Sequence, residues 1–478
     1  MKVALILCPS WDTEYPTYAL ASLAAGLSAR GHEANIFDLN QVFAHLALGA
    51  KERPARRSDL ASQWTDNSFV LGQMEEHAGY LESFVDGVLA QGHRVVGFSV
   101  YFTTERMSLE LARLFKRKDP GVVVVFGGSH YLKFSRCLDT IRQDGVDVIV
   151  HGEGDIPFPR LIERLERTGR LEAGPGILLR GDPATWKEGQ REWVSDLNTI
   201  PFADYKAHRL TPVRAKTINT CRGCVRKCDF CSEWRQMKFR QKSAERIHQE
   251  IGRQLSDHRE IKRFFFADSL VNGVPKEFEL LCDRMIREPL GISWNGYAIV
   301  RPEMTRAVLE KTRQSGCESL FYGVESGSDR LRRLIGKNTP DAVVASTLKN
   351  TVAAGIKTTV GCIAGHPNES ENDFEQTLAF VKANAGGISA LTINAFIALE
   401  LDGEEENYGL AALTSTNHWF WETKDGLNTF PIRIERVRRL ARAAVALGIL
   451  TVFQNGANGE IESRCDELLE SYRQARIL

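Results

Sequence analysis

The chain has 478 residues, and its 61 Lys plus Arg balance 61 Asp plus Glu, so it lacks the basic excess that nucleic-acid and anionic-membrane binders usually carry. Its 43% hydrophobic and 26% charged residues are ordinary for a globular protein of two or three domains, and no apolar run reaches the length that spans a bilayer. Ten cysteines, scattered singly except in one loop, suit a reducing compartment, and a cytoplasmic location is expected. The N-terminal apolar run is short and meets Pro9 with no small-residue cleavage site, so it reads as a strand and not a signal peptide.

Residues 3–7 form the first apolar run, ended by Cys8-Pro9-Ser10. An amphipathic helix over 18–27 and a strand over 34–37 complete a βαβ start. Residues 40–91 are polar and helical in pattern, and strands follow at 94–99, 122–126 and 146–150. Helices at 107–116, 137–143 and 157–167 alternate with them. This alternation predicts an open, doubly wound parallel sheet, in which ligands sit beyond the carboxyl ends of the strands. Those ends carry Pro9, Ser99, Gly127, Gly128, Gly152 and Glu153. No GxGxxG follows the first strand, which argues against a nicotinamide site. A domain that keeps this shape without a cofactor stays open as the alternative.

Periodicity fades over 168–210, where Gly174-Pro175-Gly176 and Gly181-Asp182-Pro183 punctuate a linker that is partly a small hairpin. From residue 216 onward, strands at 216–219, 263–267, 292–299, 319–323, 357–363 and 391–396 alternate with helices. Six strand–helix units resemble a partial (β/α)6 barrel, in which the site lies at the carboxyl ends of the strands. Those ends carry Asp268, Arg301, Glu325, Ser326 and Gly365. Beyond residue 410 stand Trp419-Phe420-Trp421, read as core packing, and a basic helix over 432–443.

Residues 219–231 read Asn-Thr-Cys-Arg-Gly-Cys-Val-Arg-Lys-Cys-Asp-Phe-Cys, which spaces Cys224, Cys228 and Cys231 as CxxxCxxC. Four thiolates close a tetrahedral zinc site or fill the corners of an iron–sulfur cube. Three leave one iron of a cube open to a small molecule's amine and carboxylate. Arg226 and Lys227 lie inside the loop and would favour the thiolates, while Phe230 can shield a cluster from water. Cys221 is available as a fourth ligand, so a zinc knuckle stays open as the alternative.

On this loop the chain resembles the radical SAM family, whose cluster loop follows the first barrel strand. The resemblance implies a 4Fe-4S cluster on Cys224, Cys228 and Cys231, with S-adenosylmethionine on the free iron. Tyr322-Gly323-Val324-Glu325-Ser326-Gly327 resembles the family's fourth-strand segment, so Glu325 and Ser326 are expected at the ribose or amine of S-adenosylmethionine. Gly361-Cys362-Ile363-Ala364-Gly365 resembles the fifth-strand segment behind the adenine, with Glu369 one residue later than the usual spacing. Phe230 is expected to touch the same adenine through its backbone. Asp268 and Arg301 are expected to bind ligand or to pair with each other. Leu401-Asp402-Gly403 stands where the family often has Pro-Gly-Thr.

The first part resembles the cobalamin-binding domain attached to many such enzymes. Ser99-Val100-Tyr101, Gly127-Gly128 and His151-Gly152-Glu153-Gly154 carry that likeness, which implies cobalamin contacts at Ser99, Tyr101, Gly127, Gly128, Gly152 and Glu153. Its Asp-x-His-x-x-Gly is missing, since Cys8-Pro9-Ser10-Trp11-Asp12 stands after the first strand, so cobalt is expected to have no histidine below it. The domains expected are a Rossmann-like, doubly wound cobalamin-binding domain at 1–167, a linker at 168–210, a radical SAM partial barrel at 211–400 and a short, mostly helical region at 401–478 closing it. The resemblance implies a methyltransferase that acts on an unactivated carbon of a small-molecule substrate, through a 5′-deoxyadenosyl radical and methylcobalamin. It also implies an electron donor such as flavodoxin or ferredoxin, and no nucleic-acid or membrane partner. The alternatives are a radical rearrangement or cyclisation without methyl transfer, and a non-catalytic sensor.

Overall fold

The computed structural model describes residues 1–46, 63–210, 213–398, 408–411, 419–453 and 456–477. In β1 (Lys2–Leu7) consecutive apolar residues bury both faces. Val3, Leu5 and Leu7 enter one core cluster, and Ala4, Ile6 and Cys8 enter a second on the opposite side. Such period-two alternation between two cores is what a strand covered by helices on both faces requires. Fully burying a side chain such as Ile6 or Leu7 contributes about 1.5–3 kcal/mol.

The next strands, β2 (Glu33–Asp38), β3 (Val95–Ser99), β4 (Val123–Gly127) and β5 (Val148–Val150), pair in parallel. The edge strand β6 (Ile177–Leu179) adds antiparallel to β5, giving the order β2-β1-β3-β4-β5-β6. Helices Tyr18–Ser28 and Pro157–Thr168 pack on one core; Asn67–Glu76, Ala78–Ala90 and Glu105–Lys118 pack on the other. Pro157 starts its helix at a position where no amide is needed, and Gly169 ends it at φ 68°. The strand order reverses between β1 and β3, the switch point where such sheets open a crevice.

This first unit does not stop at residue 167. It runs through Ile218 and includes Gln249–Arg263, because the linker contributes β6 and three 3₁₀ turns. Its periodicity was too short to read as a sheet element.

The second unit comprises Asn219–His248 and Phe264–Leu478. The later strands are β7 (Lys216–Ile218), the ribbon β8 (Cys221–Arg222) and β9 (Arg240–Gln241), β10 (Arg263–Phe266), β11 (Ser293–Ala298), β12 (Cys317–Glu325), β13 (Lys357–Ala364), β14 (Ala390–Ala395), β15 (Leu450–Phe453) and β16 (Gly456–Ala457). The second sheet has the order β16-β15-β14-β13-β12-β11-β10-β7, with parallel pairing from β11 through β15. The last region is therefore not only helical. Helices Phe430–Ala446 and Ile461–Ile477 accompany a strand that extends the sheet. Among the described residues no helix is long and apolar enough to cross a membrane.

Candidate active site

The cysteine loop begins where β7 ends, and one buried carboxylate fixes its start. Asp268, just past β10, accepts from the Thr220 amide at 2.8 Å, the Cys221 amide at 3.1 Å and the Asn219 side chain at 3.1 Å, and from the Thr220 hydroxyl at 2.5 Å. Burial pushes Asp268 up to about 6 despite these donors. Asp268 and Arg301 are not partners. Arg301 donates to the carbonyls of Asn272 at 2.6 Å and Gly273 at 3.0 Å, and pairs with Glu303. Gly223 turns the ribbon at φ 74°, where a Cβ would stand 2.7 Å from the Lys238 carbonyl.

The Cys221 thiol donates to the Leu270 carbonyl at 3.2 Å, and burial raises its pKa well above the ordinary value, with Asp268, Glu233 and Cys224 adding to the rise. Cys228 carries a buried thiol pushed up to about 12 by desolvation, with Lys337 opposing and Glu325, Cys231 and Cys224 adding to the rise. Burial raises the Cys224 thiol too, against the Arg226 amide, which donates to its sulfur at 3.4 Å. Among the described residues no group of three or more His, Cys, Asp or Glu side chains could hold a metal ion. A tetrahedral zinc draws its sulfurs to about 2.3 Å of one point, whereas a cube takes each thiolate on a separate iron. Three thiols in one another's field, with Cys221 hydrogen-bonded elsewhere, fit the cube better than the knuckle.

The charges around the loop differ from the expectation. The Arg226 guanidinium is held by the carbonyls of Lys337 at 3.1 Å and Val300 at 3.2 Å and by the Thr339 hydroxyl at 3.2 Å, so its pull on Cys224 is the smallest named. The stronger cation is Lys337, whose ammonium donates to Glu325 at 2.6 Å and to the Gly323 carbonyl at 2.5 Å. Despite the cost of its burial, Glu325 and the Cys228 thiolate hold Lys337 above its ordinary value. No motif signalled Lys337, because it lies more than a hundred residues beyond the loop; only its Gly336-Lys337 turn after a short helix hinted at it.

Glu325 ends β12 with φ 70°, an unusual conformation for a side chain with a Cβ, beside a register shift between Gly323 and Glu325. The Glu325 carboxylate and the Lys337 ammonium occupy the space a Cβ at Gly323 would take. Ser326 is nearly fully buried, its hydroxyl shared with Thr377 at 3.0 Å and the Ser328 amide at 3.0 Å, and its carbonyl accepts from Arg332 at 2.8 Å.

At the end of β13, Gly361 lies against the Phe321 ring, and Gly365, φ 81°, against the Arg433 side chain. Glu369 accepts from the Gly365 amide at 2.6 Å and from Arg436 at 2.9 Å, so its one-residue offset is absorbed in the turn; burial pushes it up to about 7. His366 accepts the Asn368 amide on Nδ1 at 3.2 Å, so Nε2 bears the proton and donates to Asp229 in the cysteine loop at 3.1 Å. Phe230 and Ile363 meet in one apolar cluster with Phe396, Leu410, Trp421 and Tyr408. Trp421 is core, with the Arg433 guanidinium 3.6 Å from its ring centroid. Leu401, Asp402 and Gly403 lie outside the described residues.

In the first unit, Ser99 pairs in register with Gly127, and its hydroxyl has no hydrogen-bond partner among the described residues. Tyr101 stacks on Trp11 with ring centroids 3.6 Å apart, and its hydroxyl meets Thr17 at 3.0 Å. Gly128, φ 109°, has the Val100 carbonyl 2.6 Å from where its Cβ would stand. Gly152, φ 98°, lies against Arg191, and Glu153 accepts the Val194 amide at 3.0 Å.

Residues 218–381 match the radical SAM superfamily. Over 295 residues the chain is 26% identical to a protein of Pyrococcus horikoshii named uncharacterized methyltransferase PH0819, covering 60% of this chain and 64% of that protein. Over 294 residues it is 24% identical to an anaerobic magnesium-protoporphyrin IX monomethyl ester cyclase of Cereibacter sphaeroides, covering 58% of this chain and 47% of that enzyme. The chain thus spans about half to under two thirds of these relatives. In fold it resembles the radical S-adenosylmethionine methyltransferase TsrM of Kitasatospora setae, with a TM-score of 0.63 at 16% identity over 93% of this chain and 89% of that one.

Proposed function

We propose that the chain, whose residues 218–381 match the radical SAM superfamily, is a cobalamin-dependent radical SAM methyltransferase acting on an unactivated carbon of a small-molecule substrate. The observation that carries this reading is the loop of Cys224, Cys228 and Cys231, with Cys221 bonded elsewhere and a Glu325–Lys337 pair beside it. Cys224, Cys228 and Cys231 would hold a 4Fe-4S cluster. When bound, the cluster supplies the electron that cleaves S-adenosylmethionine, and cobalamin supplies the methyl group to be transferred. The Cys224 and Cys228 thiols, raised by burial, lose their protons only against a strong positive partner, which suits metal-bound sulfur.

The protein's own groups would do the rest. Glu325 offers a carboxylate to the ammonium or ribose hydroxyls of S-adenosylmethionine. Gly361, Ile363 and Gly365 would line the strand behind its adenine, the Phe230 backbone and the Ser326 amide would offer polar contacts, and the apolar cluster around Phe230 and Ile363 would exclude water. Asp229, tied to His366, holds the loop's turn. In the first unit the unpartnered Ser99 hydroxyl, at a strand's carboxyl end, supports a cobalamin contact there, with Tyr101, Gly127, Gly128, Gly152 and Glu153 shaping the same edge. The Cys8-to-Asp12 segment offers no histidine to cobalt. A flavodoxin- or ferredoxin-type protein would deliver the electron.

The similarity to the cyclase favours a second reading, radical ring closure without methyl transfer. Reconstituted protein with methyl-deuterated S-adenosylmethionine and candidate substrates separates the two. Methyl transfer yields a deuterated product, with S-adenosylhomocysteine and 5′-deoxyadenosine in near-equal amounts. Deoxyadenosine alone, with a product of unchanged carbon count, sinks the methyltransferase reading.

A further inference from the structure

The segment after helix Asp329–Leu334 is folded against the cysteine loop. The Lys337 amide donates to the Arg332 carbonyl at 2.8 Å, and Gly336, φ 83°, turns the chain at the helix end. That glycine has no Cβ where the Lys227 carbonyl lies at 2.6 Å and the Cys228 Cα at 3.6 Å. The Asp229 amide donates to the Ile335 carbonyl at 3.2 Å, and Arg226 caps the Lys337 carbonyl. Residues 335–337 thus cradle the turn that carries Cys228. From this cradle the Lys337 side chain, 16% exposed, reaches Glu325, 12% exposed, and the Gly323 carbonyl. Glu325 holds a backbone angle that L residues adopt only when the surroundings impose it.

We propose that Lys337 is a positioning residue of this site: it fixes Glu325 in its left-handed turn and supplies a permanent positive charge beside the Cys224 and Cys228 thiolates. The inference rests on the cluster reading above. A half-buried ion pair within the field of a cluster acts on its reduction through space, since the reduced form carries one more negative charge. Lys337 favours that form and Glu325 opposes it. Lysine is held here by two contacts at once, to a carboxylate and to a carbonyl of the strand that bears it, so it aligns Glu325 for a ligand while screening its charge from the sulfurs.

The test uses the full-length, reconstituted protein, with the cluster's reduction followed by electron paramagnetic resonance and S-adenosylmethionine affinity read from the change in that signal. K337Q is expected to lower the reduction equilibrium constant about tenfold, a shift of about 59 mV downward for a one-electron couple, and to weaken S-adenosylmethionine binding. K337R is expected to keep the potential, and E325Q to raise it. If the wild-type protein takes up no cluster, the cluster reading falls and this inference with it. If it does, and K337Q has the wild-type potential, or K337R shifts as far as K337Q, the inference alone is overturned. Should K337Q take up no cluster, E325Q decides: a raised potential supports the proposal, and an unchanged one overturns it.

Discussion

The carboxyl ends of β12 and β13 and those of β3 and β4 carry motifs of similar appearance and use them differently. At β12 and β13 the motif residues engage other chemistry-bearing groups. Glu325 holds Lys337, His366 holds Asp229 of the cysteine loop, and Glu369 holds Arg436. At β3 and β4, and just past β5, the motif residues mostly serve the unit itself: Gly128 makes room for Val100, Gly152 for Arg191, and Glu153 anchors Val194. Of that set only Ser99 keeps a hydroxyl with no partner among the described residues. A pattern of glycines and acids conveys an architecture, because backbone packing alone accounts for it. A constellation of thiols, carboxylate and ammonium conveys a chemistry, because packing does not require those groups.

The comparison breaks most easily at the thiols. C224A, C228A and C231A should each abolish the brown chromophore and deoxyadenosine formation, while C221S should keep both. Iron and sulfide analysis of the four variants checks this. Full iron content in the triple alanine variant, or loss of the cluster in C221S, would revive a closed four-thiol site.

Two glycine variants follow. G365A places a Cβ into the Arg433 side chain at φ 81°, and G128A places one into the Val100 carbonyl at φ 109°. Each should cost about 1–3 kcal/mol of backbone strain alone, with the clash added. Urea denaturation measures the loss. G128A should lose stability equally with and without added cobalamin, if its glycine serves the fold; a loss seen only in cobalamin affinity would show that the two ends are alike after all.

Much of this was legible in the sequence. The apolar strands announced the first sheet, because runs buried on two faces leave no polar phase to misread. Motif spacing singles out Cys224, Cys228, Cys231 and Glu325 because each motif is local in the chain, and the structure sets Glu325 against Lys337. What escaped was non-local or short. Lys337 reaches Glu325 only through the turn at Gly336, and His366 finds Asp229 across more than a hundred residues. Asp268 read as an acid that binds ligand or pairs with Arg301, and in the structure it accepts from Thr220. β15 spans four residues, too few for a period to emerge.

A pH experiment sharpens the view of the first unit as architecture. Asp38 is fully buried, and desolvation pushes it up to about 7 against the amides of Gln41 and Asn40. A carboxyl raised on folding adds stability below its unfolded value of about 3.9, and that contribution is lost as pH rises through about 7. D38N carries no charge in either state. It should be more stable than the wild type above pH 7, with the difference shrinking or reversing by pH 5. Asp268 and Glu369 titrate in an overlapping window, so the difference between variant and wild type at each pH is the quantity to measure. A constant difference from pH 5 to 8 would refute the assignment.

The smallest effect addresses the residue that sets the first unit's edge apart. Ser99 ends β3 beside Gly127, and its hydroxyl gives nothing to the fold that the described residues record. Removing a hydroxyl that bonds only water leaves stability nearly unchanged, whereas removing one that bonds a ligand costs about 0.5–1.5 kcal/mol of binding, roughly two- to twelvefold in affinity. S99A should therefore unfold at the wild-type urea midpoint and bind cobalamin a few-fold more weakly, as read by the absorbance of the retained corrin after gel filtration at graded concentrations. E153Q is the contrast: it weakens the acceptor for the Val194 amide, so it should lower the urea midpoint and disturb affinity only through the fold. If S99A loses stability and E153Q does not, the roles assigned to the two ends of this edge are reversed. If S99A changes neither quantity, the hydroxyl faces no cofactor, and the first unit's motif marks its architecture alone.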